Sequence, residues 1–139
     1  MKSRVVVTIL IEHNGKYLLG KKPKGVGPYP NTWHFPGGGV TLGEESIFDA
    51  VKREIKEETG LTVRNIRPII FDEDHEPDKK GEMTHYLFLV FKAEAVHVRH
   101  QAGDDMHQLQ WFTRDELLRL PLTRPGAKVL KQYSKILSV

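Results

Sequence analysis

The sequence predicts an α/β domain, and three observations predict it. Arg4 to Glu12 and Met83 to Ala95 are long runs of β-branched and aromatic residues that read as strands. A capped amphipathic helix from Ser46 to Gly60 lies between them. A second amphipathic helix, carrying Val129, Leu130, Tyr133, Ile136 and Leu137, closes the chain. At 139 residues there is room for one domain with a sizeable core and too little for two, so residues 1–139 are expected to form one unit.

In order, Arg4 to Glu12 meets a turn signal, His13-Asn14-Gly15-Lys16, and Lys16 to Lys21 should return as its hairpin partner. Lys22 to Asn31, with its lysines, glycines and prolines, reads as a functional loop, and Lys21, Lys22 and Lys24 are there either to meet phosphates or as ordinary solvated loop lysines. Trp33-His34-Phe35-Pro36 leads into Gly37-Gly38-Gly39, where bare backbone lets a ligand approach closely. After the central helix, Thr62 to Phe71 reads as a strand. Asp72 to Gly81 reads as a solvated polar hairpin loop without periodicity. Met83 to Ala95 should alternate, with Tyr86, Phe88 and Val90 facing one way and His85, Leu87 and Leu89 the other. His97 to His107 connects to a strand at Gln108 to Phe112. Thr113 and Glu116 then cap a short helix, Arg114 to Leu120, and Thr123 with Pro125 opens the last one.

Composition bounds the function. Hydrophobic content of 39% and charged content of 28% are those of a globular protein. The net charge of +3 suits an anionic substrate, but the 21 basic residues interleave with 18 acidic ones and no basic block marks a nucleic-acid surface. The chain has no cysteine, which excludes disulfides and thiolate chemistry and agrees with a reducing compartment. The apolar run Val5 to Ile11 is too short for a membrane span and has no cleavage signal after it, so a cytoplasmic protein is expected.

The informative stretch is the central helix. Ser46 caps it with Asp49 as reciprocal partner, and Gly60 stops it. At about 100° per residue, Ile47, Val51, Ile55 and Phe48 fall on one stripe, with Lys52, Lys56, Asp49 and Arg53 opposite. Glu57, Glu54 and Glu58 flank the apolar stripe, Glu58 overlapping it. Three like charges beside a core are costly unless a cation neutralises them. A hard divalent ion with oxygen ligands, Mg²⁺ or Mn²⁺, suits that task. A solvated acidic face is the blander explanation, but lysines already occupy the watery side.

The stretch GVTLGEESIFDAVKREIKEETGL, from Gly39 to Leu61, also carries the full Nudix box: Gly39, Glu45, Arg53-Glu54-Ile55, Glu57-Glu58 and Gly60-Leu61 at the box spacing. The chain therefore resembles a Nudix hydrolase. The loop before the helix is one residue longer than the usual pattern. The resemblance implies an α/β/α sandwich with a mixed β-sheet and hydrolysis of a pyrophosphate linkage. Metal ligands implied by it are Glu54, Glu57 and Glu58, with Glu45 nearby and a main-chain carbonyl of Gly38 or Gly39. Arg53 is implied to orient the glutamates through charge-assisted hydrogen bonds. Cations bridging the anionic oxygens would remove their repulsion toward attacking water. For the general base two alternatives stand: Asp105, with Asp104 and His107 beside it, or a box glutamate, Glu54 or Glu57.

The Thr84-His85-Tyr86 strand and the modest size resemble Nudix enzymes that cleave nucleoside triphosphates to monophosphate and pyrophosphate. ADP-ribose or a nucleotide sugar is the alternative, suggested by Pro77, and a non-catalytic nucleotide sensor is the alternative of another class. The substrate contacts expected are Lys21, Lys22, Trp33, Phe35 and Tyr86, with Trp111 also in the aromatic pool. The expected partner is a small nucleotide, not a nucleic-acid polymer or membrane, and a homodimer is left open.

Overall fold

The computed structural model describes residues 1–21, 31–100 and 108–137, the side chains of 135–137 excepted. The elements run β1 (Lys2–His13), β2 (Lys16–Lys21), β3 (Trp33–His34), β4 (Gly37–Gly39), α1 (Ile47–Thr59), β5 (Val63–Pro77), β6 (Met83–Ala95), β7 (Gln108–Thr113), α2 (Arg114–Leu117) and α3 (Arg124–Leu137). All seven strands join one mixed sheet in which β3-β2-β1-β6-β5 lie side by side, with β4 on β1 and β7 on β2.

Its spine is the parallel pairing of β1 with β6, in register from Lys2 opposite Thr84 to Glu12 opposite Glu94. Alternation along these two strands divides the core. Val7, Ile9 and Ile11 with Phe91, Ala93 and Ala95 face α1, packing on Val51 and Ile55. Leu10 and Val90 face the other way, onto Phe35, Phe112, Leu117 and the α3 residues Val129, Leu130 and Tyr133. Helices thus cover both faces of a mixed sheet, the sandwich expected.

The local signals act where the sequence puts them. Asn14 and Gly15 take positive φ (49° and 78°) and turn β1 back into β2, with His13 opposite Lys16. The Ser46 hydroxyl accepts a hydrogen bond from Asp49 N at 3.1 Å, but the short Asp49 side chain does not return a bond to the Ser46 backbone, so the reciprocal half of the expected capping box is not formed; Gly60 closes α1 in the left-handed conformation at φ 69°. At Thr113 the capping box forms in both directions, although α2 ends at Leu117 rather than Leu120. The hydroxyl of Thr123 accepts from Gly126 N at 3.2 Å at the start of α3.

Two further readings need correction. Phe48 belongs to the helical stripe by spacing but is 45% exposed, its ring edge-on to Phe91 at 5.3 Å. Asp72 to Gly81 is not a solvated loop. Asp72 to Pro77 continues β5, paired with β6 from Asp72 opposite Phe88 to Pro77 opposite Met83, which leaves Asp78 to Glu82 as the turn. The polar composition misled because these acids have partners in α3. Lys128 Nζ lies 3.0 Å from Asp72 and 3.7 Å from Asp74, and Arg124 donates to Asp74 at 3.0 Å. Pairing with cations is what lets an aspartate 9% exposed sit in a strand.

Candidate active site

β4 holds the key to the site. Its three glycines form a narrow strip antiparallel to β1, and α1 packs beside it. Buried positions of α1 are Ala50, Val51, Glu54, Ile55, Glu58 and Thr59. Glu54 and Glu58, 8% and 7% exposed, therefore lie inside the buried face rather than beside it. Gly38 explains how Glu54 is accommodated: a side chain there would run into the Glu54 carboxylate.

Arg53 organises the acids. Its Nε and Nη2 donate to the two oxygens of Glu45 at 3.0 and 2.7 Å, a bidentate pair. Its Nη1 reaches Glu54 at 2.9 Å and Glu57 at 3.2 Å, and Nη2 also donates to the Gly39 carbonyl at 3.2 Å. The hydrogen bonds from Arg53 hold Glu45 below the usual carboxylate range, and Glu45 in turn raises the Arg53 pKa. Glu54 moves the opposite way. Burial raises its pKa and the Glu57 charge adds to this, outweighing the hydrogen bonds from Glu58 and Arg53.

These groups border a cleft of about 380 Å³ that runs from Glu54, Glu57 and Glu58 across the β4 glycines to the other face of the sheet. Its floor there is Arg4, Val6 and Thr8 of β1 with Tyr86 and Phe88 of β6. The Tyr86 and Phe88 rings stack at 5.7 Å and 19°. The far wall combines the end of β5 and the turn after it, Glu76 to Lys79, with the opening of α3 at Thr123, Pro125 and Gly126.

The structure thus gathers Glu54, Glu57, Glu58, Gly38, Gly39, Phe35 and Tyr86 along one cleft, with Arg53 and Glu45 bonded to its acidic end. Lys21 and Trp33 do not line it. The Trp33 ring meets Phe112 edge-on at 4.9 Å, Lys21 covers it at 5.6 Å, and its backbone bonds to Pro121 and Thr123. Trp111 donates to Val98 O at 3.3 Å, away from the cleft. Lys22, Lys24, Asp104, Asp105 and His107 lie outside the described residues. Sequence reasoning passed over Arg4, Thr8 and Phe88. Face parity would have found them, since Arg4, Val6 and Thr8 alternate along β1 as Tyr86 and Phe88 do along β6.

The donor set fits a hard divalent cation in its chemistry. All donors are carboxylate or main-chain oxygens, and burial disfavours the ionised Glu54 until a cation offsets its charge. Among the described residues no three acidic or histidine side chains converge as a closed metal cage, since Arg53 draws Glu45, Glu54 and Glu57 to itself.

A glutamate-lined cleft on a mixed-sheet sandwich, together with the family match that follows, marks a hydrolase acting on pyrophosphate bonds. The NUDIX domain family matches residues 1–133, and the chain belongs to that family. Among its relatives is the nucleoside triphosphatase NudI of Escherichia coli O139:H28, 30% identical over 137 residues, covering 94% of this chain and 96% of the relative. The MutT NUDIX hydrolase of Burkholderia pseudomallei superposes with a TM-score of 0.78 at 29% identity, over 95% of this chain and 98% of that one. The NUDIX domain of Shewanella oneidensis NrtR, solved with ADP ribose, shares the fold at TM-score 0.76 and 19% identity, over 99% and 88% of the two chains. Members of the family generally use divalent metals and act on small nucleotides. Among the described residues no helix is long and apolar enough to cross a membrane.

Proposed function

We propose that this protein hydrolyses nucleoside or deoxynucleoside triphosphates to the monophosphate and pyrophosphate, as a single domain acting in the cytoplasm with Mg²⁺ or Mn²⁺. The observation that carries the reading is the cleft itself, acidic at the box end and aromatic at the Tyr86–Phe88 end. Such a cleft suits a molecule that is polyanionic at one end and a flat base at the other. The near full-length match to relatives described as nucleoside triphosphatases supports the same substrate class.

In this reading Glu54, Glu57 and Glu58 hold the metal, with a carbonyl of Gly38 or Gly39. When bound, the metal offsets phosphate charge and makes water a better nucleophile. Arg53 keeps Glu45 and Glu54 in place through its fork of hydrogen bonds. Glu57, the most exposed of these three glutamates, borders the cleft and is held to Arg53 by one 3.2 Å contact. The proton of the attacking water goes to Glu54 or Glu57, or to Asp105. Tyr86 and Phe88 offer the nucleoside a face, and the buried Phe35 also lines the cleft.

The test is a panel of NTPs, dNTPs, ADP-ribose, nucleotide sugars and dinucleoside polyphosphates, assayed with Mg²⁺ and with EDTA, products resolved by nucleotide chromatography. The expected result is monophosphate and pyrophosphate from a triphosphate, lost with EDTA. Faster turnover of ADP-ribose or a nucleotide sugar would move the assignment to that class. Activity surviving EDTA and dialysis would remove the metal.

A further inference from the structure

The cleft contains a cation that the box does not use. Arg4 lies near the start of β1, and parallel pairing sets it directly opposite Tyr86 on β6, one side-chain step from Val6 opposite Phe88. All four residues line the cleft. The Arg4 guanidinium turns its Nε–Nη2 edge toward Gly39, where any side chain would meet those two nitrogens. On the edge of the same glycine, the carbonyl oxygen accepts from Arg53. One residue therefore separates two guanidiniums with opposite circumstances. Arg53 is saturated by Glu45, Glu54 and Glu57. Arg4, among the described residues, has no hydrogen-bond or ion-pair partner. The other cleft cation in the described residues, Lys79, stands on the turn of the far wall.

We infer that Arg4 grips the phosphate that carries the nucleoside, on the nucleoside side of the scissile bond. The inference rests on the triphosphate reading above. With the reacting phosphoanhydride at the glutamates and the base at Tyr86 and Phe88, the phosphate joined to the sugar falls between them, and Arg4 is the cation at that station. A guanidinium presents two parallel N–H groups to a phosphate, a fork that lysine cannot reproduce. The bare backbone of Gly39 is what leaves room for the guanidinium beside the strip, since a side chain there would displace it. The pyrophosphate leaving group points to the opposite side and makes no use of Arg4.

The consequence is a split between the two products. Binding of AMP, GMP, CMP and UMP, and separately of inorganic pyrophosphate, is measured by titration calorimetry with Mg²⁺ present. The proteins compared are wild type, Arg4→Gln and Arg4→Lys. Arg4→Gln should weaken the best-bound monophosphate at least tenfold, leave pyrophosphate within twofold, and raise KM for the matching triphosphate at least tenfold. Arg4→Lys, which retains the charge, should recover only part of the loss and controls for any fault in folding. Monophosphate affinity unchanged in Arg4→Gln overturns the inference, and so does an equal loss for both ligands, which would make Arg4 a general electrostatic contributor. Failure of the underlying reading is visible separately, because wild type would then release no pyrophosphate from any triphosphate, and the role of Arg4 would fall with it.

Discussion

At the scale of single residues, the helix α1 carries two kinds of acid whose substitution should separate chemistry from stability. Glu57 and Glu58 differ in burial but not in assigned role, and Gln keeps their volume while removing the charge. Glu57→Gln and Glu58→Gln should each lower turnover by roughly two to four orders of magnitude, the scale of a main electrostatic contributor. Melting temperature should hold or rise, because crowded carboxylates repel one another without metal. Full activity with a lowered melting temperature in Glu58→Gln would make the helix scaffold. Gly38→Ala probes the same site from the strand. Its methyl group must displace the Glu54 carboxylate, so kcat should fall by about ten- to a hundredfold, while stability changes by less than about 1 kcal/mol, since alanine suits a strand better than glycine does. An active Gly38→Ala would show that Glu54 does not need its present place.

At the scale of elements, the end of β5 and the start of α3 are joined by Asp72 and Asp74 to Lys128 and Arg124. Both elements supply the far wall of the cleft, so this junction sets its width. Arg124 is 60% exposed, which discounts its own contribution, but Asp74 is 9% exposed and would be left with Lys128 at 3.7 Å. Arg124→Ala should cost about 1 kcal/mol in urea unfolding and raise KM more than it lowers kcat. A double-mutant cycle with Asp74→Asn should give a coupling of about 0.5–1.5 kcal/mol, and a coupling of zero would remove the junction from the account.

How much of this was legible in the sequence depends on the range of the interaction. The α1 caps, the β1–β2 hairpin and the box spacing are local, and each was readable from adjacent residues. The junction was not, because Asp74 meets Arg124 across 50 positions and a strand of acids looks like a loop until its partners are placed. Trp33 and Lys21 were plausible substrate contacts by chemistry alone. Strand pairing, not residue type, decides which face a side chain occupies, and it sets the Trp33 ring against Phe112 with Lys21 over it, outside the lining of the cleft. The acids of α1 were recognised from their spacing, while the strip of glycines that lets them reach the opposite face only acquires that meaning once β4 is set on β1.

At the scale of the whole molecule, charge ties the β5–β6 turn to the start of the chain. Asp78 accepts a hydrogen bond from Lys2 at 2.8 Å and from the backbone N–H groups of Lys80 and Glu82. Lys2 first, then those N–H groups, pull its pKa from 3.8 down to about 2. A carboxyl whose pKa falls on folding stabilises above its unfolded value, so this contribution is present above about pH 4 and disappears as pH drops toward 2. Lys2→Met should move the Asp78 titration upward in an NMR pH series and shrink the stability lost between pH 5 and pH 2. An unmoved titration would assign the shift to the turn backbone alone.

The parallel pairing of β1 with β6 has a kinetic consequence. Contacts such as His13 with Ala95 close over 82 positions, and no hairpin can form them early. Chain-closure entropy makes such pairings late and slow relative to the β1–β2 hairpin or the α1 helix. The cleft floor straddles that seam, with Arg4 on one strand and Tyr86 on the other. In a refolding experiment, recovery of substrate binding should therefore trail the return of helical circular dichroism. The enzyme regains its ligand only when the two distant strands have found their register, so nucleotide binding reports completion of the fold.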